Sequence, residues 1–87
     1  MSKKVVVYTA TYCPYCERAK QLLMQKQIAF DEIDVTNDFE QREVLMKKSG
    51  GRKTIPQIFI GDTHVGGCDD LYALEHSGSL DILLKDD

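Results

Sequence analysis

The chain has 87 residues, fewer than a typical domain of ~100–200, so a single domain spanning 1–87 is expected. Its composition, 43% hydrophobic and 29% charged, is that of an ordinary globular protein, and 11 basic against 14 acidic residues (net charge −3) disfavour a nucleic-acid binder or a polybasic membrane-surface protein. No apolar run near the start reaches the ~7–15 residues of a signal-peptide core or the ~20 of a spanning helix, which leads to the expectation of a soluble, cytoplasmic protein.

Val5 to Tyr8 is a short continuous run of β-branched and aromatic residues, which predicts a strand buried on both faces. Thr9 to Tyr12 read as a polar loop. Pro14 suits the first position of a helix, where its missing N–H costs nothing, and the helix is predicted to run to about Gln27. Tyr15, Ala19, Leu22 and Leu23 form its apolar stripe, bordered by Cys16. Ile28 to Val35 predicts a second strand with Phe30, Ile33 and Val35 as its apolar positions. Thr36 or Asn37 is expected to cap a second helix, with Asn37 and Glu40 spaced like a capping box. This helix carries Phe39, Val44, Leu45 and Met46 and ends at Ser49-Gly50-Gly51, its basic Lys47 and Lys48 suiting the C-terminal dipole. Tyr8, Phe30 and Phe39 are read as core residues.

Gln57 to Ile60 predicts a third strand, Gly61-Asp62 a hairpin turn, and Thr63 to Val65 a short fourth strand. Gly66-Gly67 breaks that strand, and a helix with Leu71, Tyr72 and Leu74 follows from about Cys68 to Gly78. Ser79 is expected to cap a last turn carrying Leu80, Leu83 and Leu84. The order β-α-β-α-β-β-α, with a right-handed parallel crossover first and an antiparallel hairpin last, predicts an α/β fold. Its four-stranded mixed sheet is flanked by helices on both faces. His64, on a short edge strand, and His76, near a helix end, are read as surface or dipole-partner residues.

The chemistry is concentrated at Cys13-Pro14-Tyr15-Cys16. Three cysteines in the chain are too few for a disulfide-stapled fold, and a C-x-x-C in such a protein points to redox chemistry or metal. With Cys13 at the N-cap and Cys16 at the third helical position, the free first-turn amides point at the Cys13 sulfur, and the positive helix end favours thiolate over thiol. Cys13 is therefore expected to be the nucleophile, and Cys16, one turn in and less exposed, the resolving thiol. A three-residue helical separation places the two Cα atoms about 5 Å apart, within disulfide reach. A half zinc site is the competing reading; zinc needs about four ligands, and only Cys68, His64 and His76 remain to complete it. No metal is expected.

Three blocks in order, Cys13-Pro14-Tyr15-Cys16, Thr54-Ile55-Pro56-Gln57-Ile58-Phe59-Ile60 and Gly66-Gly67-Cys68-Asp69-Asp70-Leu71, make the chain resemble a dithiol glutaredoxin of the small bacterial type, over roughly Lys4 to Leu84. The resemblance implies a thioredoxin fold and glutathione-dependent reduction of protein disulfides and protein–glutathione mixed disulfides, with glutathione as co-substrate. Couples of this class sit near about −200 to −230 mV. It also implies a cis bond before Pro56, which frees the Ile55 backbone to pair with the cysteinyl part of glutathione. Thr54 and Pro56 line the groove and Tyr15 flanks it. Gly67 and the N–H groups of Cys68 and Asp69 hold the γ-glutamyl carboxylate, and Asp69 or Asp70 its ammonium group. The acids would also cap the helix, and Cys68 is otherwise an inert, half-buried thiol.

One departure stands out. Many relatives carry a lysine three residues before the nucleophile, where Ala10 stands here, and Arg52 or Lys53 is expected to supply the missing cation. Arg18 is read as solvated. Expected partners are glutathione and disulfide-containing or glutathionylated proteins, with ribonucleotide reductase a candidate, and the chain is expected to act as a monomer. Two other functions compete: a redoxin fed by thioredoxin reductase, and an iron–sulfur carrier bridged through Cys13 and glutathione, against which Pro14 and Cys16 count.

Overall fold

The computed structural model describes residues 3–52 and 54–85. Strand β1 (Val5–Thr9) lies inside a four-stranded sheet of order β2-β1-β3-β4, parallel to β2 (Asp31–Asp34) and antiparallel to β3 (Gln57–Ile60), which pairs antiparallel with β4 (Thr63–Gly66). The helices are α1 (Pro14–Gln25), α2 (Phe39–Lys48), α3 (Cys68–Ser77) and α4 (Ser79–Leu84).

The period-two alternation of the inner strands sorts the core into two layers. Val5 and Val7 of β1 lie opposite Ile60 and Ile58 of β3 and pack with Ala19, Leu22 and Leu23 of α1, Leu71 of α3 and Leu80 of α4. On the other face Tyr8 and Phe59 meet Val35 and Leu45, with the two rings edge to face at 5.6 Å. Helices thus cover both faces, as the α/β reading expects, and β1 is buried almost throughout.

Several local expectations are corrected. In α1 the buried positions are Cys16, Ala19, Leu22 and Leu23, whereas Tyr15 is 56% exposed. The stripe is rotated by one residue, which takes the second cysteine into the interior and leaves the tyrosine outside. Strand β2 is only four residues long and half-exposed to exposed; Ile28 and Phe30 pack against the core from the preceding segment. Helix α2 is capped by Asp38, whose Oδ1 accepts from the Gln41 N–H at 3.1 Å, and not by Thr36 or Asn37. Starting one residue later turns Phe39 outward, 80% exposed, and Leu45 is the buried residue of that helix. Helix α4 begins at Ser79 itself, and Ser77 Oγ accepts from the Ser79 N–H at 3.4 Å. Among the described residues, no helix is long and apolar enough to cross a membrane.

Candidate functional site

Pro14 opens α1 and leaves Cys13 as its N-cap in an extended conformation, φ −111°. The cap is a sulfur: Cys13 Sγ accepts from the Cys16 N–H at 3.2 Å, so a first-turn amide that has no helical partner is aimed at that atom. The Cys13 thiol also lies 3.9 Å from the Ile55 carbonyl oxygen, which ties α1 to the segment before β3. Sequence spacing placed both cysteines in the helix frame in which they stand.

Their surroundings differ. Cys13 is partly exposed, whereas Cys16 is 1% exposed. Burial pushes the Cys16 thiol up to about 12, and the hydrogen bond and charge of Cys13 push the same way against a weaker opposing pull from the Ala10 backbone and Lys20. Cys16 therefore stays protonated through neutral and mildly alkaline solution. Burial also raises the Cys68 thiol, with Arg18 opposing and Asp69 and Cys13 reinforcing the rise. All three cysteines are free thiols.

The loop before Cys13 is pinned from β2. Thr36 Oγ1 accepts from the Thr11 N–H at 2.8 Å, and Thr11 Oγ1 reaches Asp34 Oδ2 at 3.3 Å. Tyr12, next in the chain, has a left-handed backbone at φ 57° and is 98% exposed beside the nucleophile position. Nothing in the one-dimensional pattern singled out Thr11 or Tyr12, and Thr36, read as a candidate helix cap, instead holds this loop.

A cleft of about 330 Å³ opens on the far side of Ile55, the residue whose carbonyl Cys13 reaches; Cys13 and Cys16 themselves are not among its lining residues. Tyr15 of α1 forms one wall; Arg52, Thr54, Ile55 and Pro56 of the α2–β3 connection form another; Gly67, Cys68, Asp69 and Asp70 at the start of α3 close it. The Ile55–Pro56 bond is cis, as the resemblance implies. Residues from each of the three sequence blocks thus meet around one cavity, although 55 positions separate Tyr15 from Asp70. Lys53 lies outside the described residues.

The α3 end of the cleft is locally locked. Asp70 Oδ2 accepts from the Gly67 N–H at 2.9 Å, one half of a capping box across the first turn. The first intrahelical bond runs from the Leu71 N–H to the Gly67 carbonyl, so the amides of Cys68 and Asp69 precede the hydrogen-bonded ladder and lie at its positive end. Arg52 Nη1 stands 3.9 Å from Asp70 Oδ2 and places a cation on the rim. Arg18 is less free than expected: its guanidinium lies over the Tyr72 ring, 5.5 Å from the centroid, and the Tyr72 hydroxyl donates to the Arg18 carbonyl at 3.1 Å. His64 is half-buried and hydrogen-bonded rather than a surface residue. Among the described residues no three His, Cys, Asp or Glu side chains gather into a metal-binding group.

The arrangement is a sulfur capped by an amide, a protonated second sulfur behind it, and a groove with a cationic rim and a helix N-terminus. It suits thiol exchange on a ligand that carries carboxylates. Comparison with known proteins agrees with that chemistry. The family model described as glutaredoxin matches residues 5–65. A curated glutaredoxin of Pseudomonas aeruginosa is 58% identical over 81 residues, covering 93% of this chain and 95% of the relative. Among solved structures, the glutaredoxin of Brucella melitensis superposes with a TM-score of 0.83 at 56% identity, covering 97% of this chain and 90% of that one. The buckwheat glutaredoxin–glutathione complex superposes with a TM-score of 0.84 at 32% identity, covering 94% and 76%.

Proposed function

The chain belongs to the glutaredoxin family of glutathione-dependent thiol oxidoreductases, and we propose on that footing that it reduces protein–glutathione mixed disulfides and protein disulfides with Cys13 as the attacking sulfur and Cys16 as the resolving one. The 3.2 Å hydrogen bond from the Cys16 amide to Cys13 Sγ carries this reading, because it aims a first-turn N–H at the partly exposed sulfur, whereas burial disfavours charge on the other.

On a mixed disulfide, the Cys13 thiolate attacks the glutathione sulfur. The S–S bond between the substrate cysteine and glutathione breaks, the substrate thiolate leaves and takes a proton, and Cys13 carries glutathione. A glutathione thiolate then attacks that sulfur, which releases glutathione disulfide and returns the Cys13 thiolate. On a protein disulfide, Cys13 forms a mixed disulfide with the substrate. Cys16 loses its proton and attacks Cys13 Sγ, the second substrate thiol departs, and a Cys13–Cys16 disulfide remains. Two glutathiones reduce it, giving one glutathione disulfide per two electrons.

The groove supplies the orientation. The Ile55 backbone and Thr54 meet the extended tripeptide beside Cys13, Tyr15 covers one side, and Gly67 lets the ligand approach the α3 amides of Cys68 and Asp69, which take the γ-glutamyl carboxylate. Asp70 or Asp69 accepts from the ammonium group. Arg52 takes the glycyl carboxylate, replacing a lysine absent at Ala10.

Turnover of a glutathionylated peptide, coupled to glutathione reductase, tests the reading directly. Saturable activity with glutathione is the expected result, and turnover supported by thioredoxin reductase alone would reject it. In the same assay Arg52→Glu is expected to raise the KM for the glutathione mixed disulfide about three- to tenfold with little change in kcat, since a partly exposed ion pair contributes about 1 kcal/mol and reversal adds repulsion. An unchanged KM would remove Arg52 from the site.

A further inference from the structure

Gln57 directly follows Pro56 and is 0% exposed, yet each polar atom of its side chain is engaged. Its Nε2 lies 2.9 Å from the Thr54 carbonyl and 3.1 Å from Thr54 Oγ1. A carbonyl only accepts, so the atom facing it is the amide nitrogen, and the orientation of the amide is settled. Gln57 Oε1, on the other side, is 2.6 Å from His64 Nε2. Since Oε1 can only accept, His64 Nε2 carries the hydrogen. His64 is held for this by the sheet. It stands opposite Phe59 in the β3–β4 pairing, just before the register shift that leaves Val65 as the extra residue, and its ring stacks on Phe59 with centroids 4.8 Å apart at 25°.

We propose that His64 is a positioning residue for the groove, acting through the interior amide of Gln57 on Thr54. This role rests on the reading of the groove as the glutathione site. Thr54 is a wall of the cleft and sits in an irregular connection. The two bonds from Gln57 fold the 54–57 segment back on itself, and the His64 N–H prevents the amide from turning over. Without that donor, Oε1 is a buried acceptor with no partner, and the amide gains by rotating toward water and releasing Thr54. His64 itself never touches the ligand.

The test compares His64→Leu, which keeps bulk against Phe59 but has no donor, with His64→Gln, whose amide N–H reaches about as far as Nε2. With cysteinyl-glutathione mixed disulfide as substrate, His64→Leu is expected to raise KM about tenfold with kcat within twofold of the parent, and His64→Gln to restore KM. The rate of Cys13 alkylation by iodoacetamide is expected to be equal in all three proteins. A merely structural histidine would lower the melting temperature of His64→Leu and leave KM alone. An unchanged KM in His64→Leu, or an equal rise in His64→Gln, overturns the role. If His64→Leu does not fold, His64→Asn, whose donor is too short to reach Gln57, replaces it, with the same two outcomes. A parent protein that fails to saturate with the mixed disulfide overturns the glutathione reading itself, and the imidazole nitrogen chemical shifts then still report whether Nε2 of His64 is protonated.

Discussion

Cys13→Ser is expected to abolish reduction of both glutathione mixed disulfides and protein disulfides, a loss of about a thousandfold or more, because a neutral alcohol replaces the nucleophilic thiolate. Cys16→Ser is expected to separate the two reactions. Reduction of the mixed disulfide needs only Cys13 and free glutathione, so it persists. Reduction of a protein disulfide needs an internal sulfur to resolve the intermediate, so it falls to the slow rate at which glutathione replaces Cys16. The difference follows from the environments of the two sulfurs. One caps a helix and is partly exposed, and the other is buried and held protonated behind it. Steady-state turnover of a glutathionylated peptide and of a disulfide-bonded protein, run side by side on both variants, checks this. Equal loss of both activities in both variants would contradict the assigned roles.

Gly66→Ala is expected to have the next largest effect. Gly66 has φ +118°, a conformation costly for any residue with a Cβ, and a Cβ there would run into the Asp70 carboxylate. That carboxylate accepts the Gly67 N–H and faces Arg52, so displacing it unlocks the first turn of α3 and the rim of the cleft together. The strained backbone and the lost cap amount to about 2–4 kcal/mol. In a domain of this size that lowers the melting temperature by roughly 10–20 °C. Gly67→Ala makes the useful contrast. Its φ of −93° is open to alanine, and the nearest atom to an added Cβ is the Pro56 carbonyl oxygen at 3.4 Å, a close but tolerable contact. It is expected to fold nearly as well as the parent while raising the KM for the glutathione substrate, since the methyl group sits in the cleft wall. Thermal melts and KM values for the pair check both statements. A Gly66→Ala protein as stable as the parent would show that α3 can start without the Asp70 contact.

How far the chain could be read before folding depends on how local each interaction is. Strand β3 and the N-cap role of Cys13 were legible because a hydrophobic run and a Pro at N1 act within a few residues. The cleft was legible in outline only through the resemblance. Its three walls come from distant segments, and spacing along the chain says nothing of their meeting. Phe39 misled because hydrophobicity marks a candidate for burial without fixing the helix frame, and a cap at Asp38 turns that residue to solvent. The same one-residue uncertainty exchanged Tyr15 and Cys16 on α1. His64 was read as a surface residue for a different reason. Its partner Gln57 is a polar residue in a strand that reads as apolar, and their contact depends on hairpin register, which an extra residue at Val65 alters.

The central claim is that one sulfur of the three is the attacking group. Treating the fully reduced native protein at neutral pH with a limiting amount of iodoacetamide, then mapping the modified peptides by mass spectrometry, measures it without relying on any substrate. The account predicts label at Cys13, with Cys16 and Cys68 modified only after unfolding, since burial raises both of those thiols. Label appearing at Cys16 before Cys13 in the folded protein would contradict it.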